Sequence, residues 1–155
     1  MKFFISHKKE DESIALKIAD ELLLLRIPYY LDTLDSSIVK NGKELTDHIK
    51  NKLNDCTEIL VVISDKTKYS QWVPFEVGMA AQRDFPTATF LQKDIQLPEF
   101  LEYWPRLKNT NDLIKYVTTK IRVDREYSSL HHMDHNSAAR SKTDYFYSEL
   151  KAKLK

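Results

Sequence analysis

Short apolar runs alternate along this chain with stretches whose apolar residues recur at helical spacing. Phe3-Phe4-Ile5 reads as a buried strand beginning almost at the first residue. Glu10-Asp11-Glu12-Ser13 then open a helix, with acid in the first turn where the helix dipole favours it. Ile14, Ala15, Ile18, Ala19, Leu22 and Leu23 predict its apolar face. Pro28 ends this unit, and Tyr29-Tyr30-Leu31 predicts a second strand closed by Asp32. A polar loop over 33–41 follows. The permissive backbone of Gly42 suits the turn into a helix over 44–54, whose buried stripe is Leu45, Ile49 and Leu53.

Ile59 to Ile63 is apolar throughout, the pattern of a strand covered on both faces. The next helix runs through Glu76, Met79, Ala80 and Ala81, and after Pro86 a fourth strand is predicted over 87–91. Beyond Gln92 the pattern weakens to a short helix over 97–101 and a few strand residues near Tyr103-Trp104. A helix over 112–121 turns Leu113, Ile114 and Val117 inward. The stretch 127–141 is polar and aperiodic and reads as a linker. A last helix over 143–154 carries Tyr145, Phe146, Leu150 and Leu154. Strand and helix in short alternation predict a parallel sheet wrapped by helices on both faces.

Composition narrows the function. The 155 residues suffice for one domain with its own core. Lys plus Arg total 24 against 23 Asp plus Glu, so no global attraction to nucleic acid or to an anionic membrane follows. Cys56 stands alone, which excludes an intramolecular disulfide and a cysteine-rich zinc site and suits a reducing, cytoplasmic setting. Charge arrives by His7-Lys8-Lys9, too early for a secretory segment, and no apolar run reaches the roughly 18 residues of a membrane span.

With only two glycines, Gly42 and Gly78, the chain has no phosphate-cradling glycine loop. It has no GxSxG elbow either. His131-His132-Met133-Asp134-His135 has some ligand types of a metal site, but no cysteine or carboxylate framework surrounds it, and we read it as a polar linker without metal. Asp11, Asp32 and Asp35 with Asp65 offer a phospho-receiver reading. It is poor, because Ser6-His7-Lys8-Lys9 follows the first strand where an acidic pair belongs. Basic residues there suit a phosphate-bearing ligand better than Mg²⁺.

Trp72 and Glu76 are four apart, so they share a helix face just after the third strand. Open α/β sheets place their ligands at that end of the strands. On spacing alone, core packing explains this pair as well as chemistry does.

Three signals in chain order resemble the Toll/interleukin receptor (TIR) domain family. Phe3-Phe4-Ile5-Ser6-His7-Lys8-Lys9-Glu10-Asp11 is similar to its first strand and following loop, and Tyr30-Leu31-Asp32 with the loop ending at Gly42 to its second strand and BB loop. Ser70-Gln71-Trp72-Val73-Pro74-Phe75-Glu76 matches its S-x-W-x-x-x-E helix start. The resemblance spans residues 1–122 and leaves 123–155 as a polar linker and helical extension. It implies a flavodoxin-like three-layer sandwich around a parallel sheet of about five strands. It also implies, as in many bacterial members, cleavage of NAD⁺ as substrate, with no cofactor and with Glu76 catalytic. Ser6, His7, Lys8, Asp32 and Trp72 would then flank the substrate. A chain that is almost only such a domain looks like the small TIR proteins of Thoeris-type anti-phage systems. Those make a cyclic ADP-ribose signal for a separate effector protein. Assembly into a homo-oligomer or filament on activation goes with that resemblance. Two other readings stay open: a non-enzymatic adaptor working through TIR–TIR contacts, and an enzyme like the nucleoside 2-deoxyribosyltransferases.

Overall fold

The computed structural model describes residues 1–31, 41–91, 95–130 and 135–154, with backbone alone for 129–130 and 135–141. Five parallel strands form one sheet: β1 (Phe3–Ser6), β2 (Tyr29–Leu31), β3 (Glu58–Val62), β4 (Thr87–Phe90) and β5 (Arg106–Leu107). Their order is β2-β1-β3-β4-β5, the doubly wound order of flavodoxin-like folds. Six helices connect or flank them: α1 (Glu12–Leu24), α2 (Gly42–Asn54), α3 (Trp72–Ala81), α4 (Glu99–Glu102), α5 (Thr110–Leu130) and α6 (His135–Lys153).

Two cores result, one on each face of the sheet, and strand alternation assigns residues to them. Phe3 and Ile5, with Leu60, Val62, Ala88 and Phe90, pack against α1, α5 and α6. Phe4, with Ile59, Val61 and Ile63, packs against α2, α3 and α4. Ser6 lies two residues beyond Phe4, so its side chain points to the α2–α3 face, and it is fully buried.

Several expectations are corrected. Leu23 is 66% exposed and leaves the α1 stripe at the helix's last turn. Gly42 has no left-handed backbone and open space where a Cβ would stand, so glycine is not required there. Helix α2 is instead started by Asn41, whose side chain accepts a hydrogen bond from the Glu44 amide at 2.9 Å. The fifth strand is Arg106–Leu107 rather than Tyr103-Trp104, because Pro105 breaks the chain between that aromatic pair and the strand. The stretch read as linker from residue 127 is helical to Leu130 and again from His135. The expected boundary at 122 falls inside α5, whose Val123 shares a core with Phe146 and Leu150 of α6.

Helices α5 and α6 are tied to the edge where β3 and β4 begin. Glu58, the first residue of β3, is 1% exposed. It accepts a hydrogen bond from the Tyr116 hydroxyl at 2.7 Å and lies 3.4 Å from the Lys120 ammonium. Tyr116 and Lys120 are four apart on α5 and therefore reach the same acid. Burial pushes the Glu58 carboxyl up to about 7, against the opposing pull of Lys120 and the Tyr116 hydroxyl. Lys120 also meets Asp124 at 2.8 Å, and Lys142 of α6 meets Asp124 at 2.8 Å. Beside them the Thr87 amide donates to the Tyr147 hydroxyl at 2.7 Å.

Candidate active site at the carboxyl edge of the sheet

The strands' carboxyl ends carry the candidate chemistry. On α3, Val73, Glu76, Val77 and Ala80 are buried at i, i+3, i+4, i+7 spacing. Glu76 thus occupies a core-facing position in an otherwise apolar stripe, and it is fully buried. The Ser6 hydroxyl at the end of β1 donates a hydrogen bond to Glu76 Oε2. Two of the expected site residues, 70 apart in sequence, are brought into direct contact.

His7 follows Ser6 and is 7% exposed, and its Nδ1 has no hydrogen-bond partner among the described residues. Lys8 is half-buried, and its carbonyl accepts from the Asp11 amide at 2.8 Å, closing a single 3₁₀ turn ahead of α1. Trp72 opens α3 half-buried, packs on the α2–α3 core, and lies 5.5 Å from the Phe75 ring. Its amide takes a hydrogen bond to the Ser70 hydroxyl at 3.2 Å. Asp32, the second-strand acid, lies outside the described residues, as does most of the loop that follows it.

A second buried contact braces the site. Asp11 is 2% exposed and accepts from the Thr67 hydroxyl, which in turn accepts from the Ser64 amide at 3.0 Å. Asp11 makes no side-chain cap bond to α1; it holds the turn that leads from β3 towards Trp72 and Glu76. No periodicity marks Thr67, and its contact with Asp11 spans 56 residues, so local sequence carries no sign of it.

Next to this brace is a cavity of about 260 Å³ whose lining includes Glu10, Asp11, Ser64, Asp65 and Lys66. Ile14, Ile63 and Ile95 complete the lining, so the acids share it with an apolar wall. Asp65, the nominal phosphoacceptor of a receiver reading, is exposed and paired with Lys68 at 3.0 Å. Among the described residues no group of three His, Cys, Asp or Glu side chains could hold a metal ion; His131 to Asp134 lie outside them. Among the described residues, too, no helix is long and apolar enough to cross a membrane. Burial pushes the Cys56 thiol up.

A family model described as TIR domain matches residues 3–132, and the chain belongs to the TIR domain family. That family includes NAD⁺-cleaving enzymes and proteins that associate through TIR–TIR contacts. No curated protein matches the chain. Among solved structures it is similar to a metazoan TIR-STING receptor from C. gigas, at 24% identity and a TM-score of 0.57, covering 73% of this chain and 38% of that one. It is also similar to a 2-deoxyribosyltransferase from the psychrotolerant bacterium Bacillus psychrosaccharolyticus, at 13% identity and a TM-score of 0.58, covering 73% of this chain and 90% of that one. At these identities the likeness is one of fold.

Proposed function

We propose that this protein cleaves the bond between nicotinamide and ribose in NAD⁺, with Glu76 as the catalytic carboxylate. The supporting observation is a buried acid on the core-facing stripe of α3, oriented by the Ser6 hydroxyl at the end of β1. When the glycosidic bond breaks, its electron pair goes to the pyridinium nitrogen and nicotinamide leaves as a neutral ring. The ribose carbon becomes an oxocarbenium-like cation. A fixed carboxylate in a low-dielectric site stabilises that charge and positions the sugar through its hydroxyls. Attack by water, with loss of its proton, yields ADP-ribose; attack by a nucleophile of the same molecule yields a cyclic ADP-ribose.

His7 and Lys8 stand where the substrate's ribose or phosphates would pass, and Trp72 forms the wall beside Glu76. Asp32 remains a proposed substrate-binding residue on the strength of the family resemblance alone. Glu76 and Ser6 are both fully enclosed, so the site must open before a sugar reaches the carboxylate. Turnover that waits on assembly into a homo-oligomer or filament fits this closure. A Thoeris-type role in the bacterial cytoplasm, with a cyclic nucleotide signal passed to a separate effector, completes the reading.

Mass spectrometry of NAD⁺ incubated with the assembled protein tests it. Nicotinamide should appear with ADP-ribose or a cyclic product, and Glu76→Gln should abolish both. Full activity in Glu76→Gln would sink the assignment. The fold likeness to the 2-deoxyribosyltransferase favours a second reading, transfer at the same sugar carbon of free nucleosides. Nucleosides run beside NAD⁺ separate the two. No product from either, with self-association lost on substitution in the 33–42 loop, would favour an adaptor.

A further inference from the structure

Another cavity, about 440 Å³, lies away from Ser6 and Glu76, at the edge where β4 and β5 begin. Asp84 and Phe85 line it just ahead of Thr87, the first residue of β4, and Tyr103 and Trp104 line it just ahead of β5. Asp144 and Tyr147 of α6 close it. Its volume falls within the roughly 300–1,000 Å³ of small-molecule sites.

Three of its rings form a corner. Tyr103 meets Trp104 at 5.9 Å and 78°, and Tyr147 at 6.3 Å and 85°. Tyr147 is anchored through its hydroxyl to the Thr87 amide. Asp84 holds a left-handed φ of 54° in the turn that follows α3, and Asp84 and Phe85 both line the cavity. Aromatic faces are electron-rich and attract cations, most strongly where carboxylates stand by. The protein's own cations already use two of these rings. The Arg83 guanidinium lies 5.0 Å from the Phe85 centroid, and the Lys151 ammonium 5.5 Å from that of Tyr103.

We propose that this cavity binds an organic ammonium cation, of the alkylammonium or polyamine class. The ring faces would hold it, and Asp144 would supply the countercharge. An occupant would bridge α6 to the segments that lead into β4 and β5. The site is independent of NAD⁺ cleavage and requires no residue of the Glu76 crevice.

Calorimetric titration of the full chain with choline, and separately with spermidine, at constant ionic strength tests this. Saturable one-site binding of at least one cation is expected; tighter choline identifies an alkylammonium site and tighter spermidine a polyamine site. Asp144→Lys and Tyr103→Ala should each weaken binding at least tenfold. Asp144 is exposed and Tyr103 is 60% exposed, so both variants should keep the wild-type circular dichroism spectrum. The neutral isostere of choline, 3,3-dimethylbutan-1-ol, should bind at least tenfold more weakly. No saturation by either cation, unchanged affinity in both folded variants, or equal affinity for the isostere would overturn the proposal.

Discussion

Two glutamates are fully enclosed among the described residues, one at each edge of the sheet, and they are enclosed differently. Glu58 begins β3 and is met by a phenol and an ammonium from one face of α5. Glu76 stands in an apolar helical stripe and is oriented by a serine hydroxyl at a strand's carboxyl end. Both acids are buried, yet the first is the centre of a clasp joining helices to sheet. The second lies where a doubly wound fold opens its crevice. Burial of a carboxylate therefore does not by itself mark chemistry; its position relative to the strand ends and the nature of its partners do.

The sharpest way to break this contrast is through activity. Glu76→Gln should lower nicotinamide release at least about 100-fold, the scale of losing a preorganised electrostatic group, while moving the thermal midpoint little. Glu58→Gln should leave nicotinamide release within about twofold of wild type once folding is matched. Equal losses in chromatographic nicotinamide assays of both variants would erase the distinction.

Next in size is stability at the clasp. Lys120→Met leaves Glu58 enclosed without its nearest ammonium and should cost about 3 kcal/mol at pH 8 in urea unfolding. The cost should shrink towards pH 5, where Glu58 is neutral. The sign follows from the carboxyl being raised from 4.5 to about 7 on folding. Between those values the folded protein holds more protons than the unfolded chain, so stability falls as pH rises through the window. A wild-type loss of about 2–3 kcal/mol from pH 4.5 to 7.5 is expected from this group. Glu58→Gln should flatten that slope, and an unchanged slope in the variant would remove Glu58 as its source.

At the other edge, Thr67→Val removes the hydroxyl that Asp11 accepts from and should cost about 1–3 kcal/mol. It should also lower activity several-fold through a displaced α3 entry, with KM and kcat measured separately. The smallest effect is Tyr147→Phe, which strips the acceptor from a buried amide at Thr87 for about 1–2 kcal/mol in the same unfolding assay. If Thr67→Val changed stability alone, the brace would be structural only.

Much of this was legible along the chain wherever one periodicity governed a whole element. The uniform apolarity of Ile59 to Ile63 marks a strand covered on both faces, and the spacing of Ala15, Ile18, Ala19 and Leu22 marks α1. Trp72 and Glu76 were visible as a pair, but their spacing could not separate packing from chemistry. Contact with Ser6 depends on β1 and β3 lying side by side, which is tertiary information. The same reason hides Thr67 under Asp11 and Tyr116 over Glu58. Polarity misled at 127–130, where α5 continues for a turn beyond the charged pairs that Arg122 makes with Glu126 and Glu149. At β5 two residues are too few for any alternation to show.

The continuity of α5 has a practical consequence for anyone preparing this protein. Trimming the chain at residue 122, where its motif-bearing part ends, would cut a helix in mid-turn and discard Val123, Phe146, Tyr147 and Leu150 from the α1–α5–α6 core. Such a fragment would strip the Phe146 ring from Tyr116 and should precipitate on expression. Fusions and crystallisation variants should therefore carry the helical hairpin intact, and loss of activity in a shortened chain should be read as failed folding before it is read as a missing catalytic part.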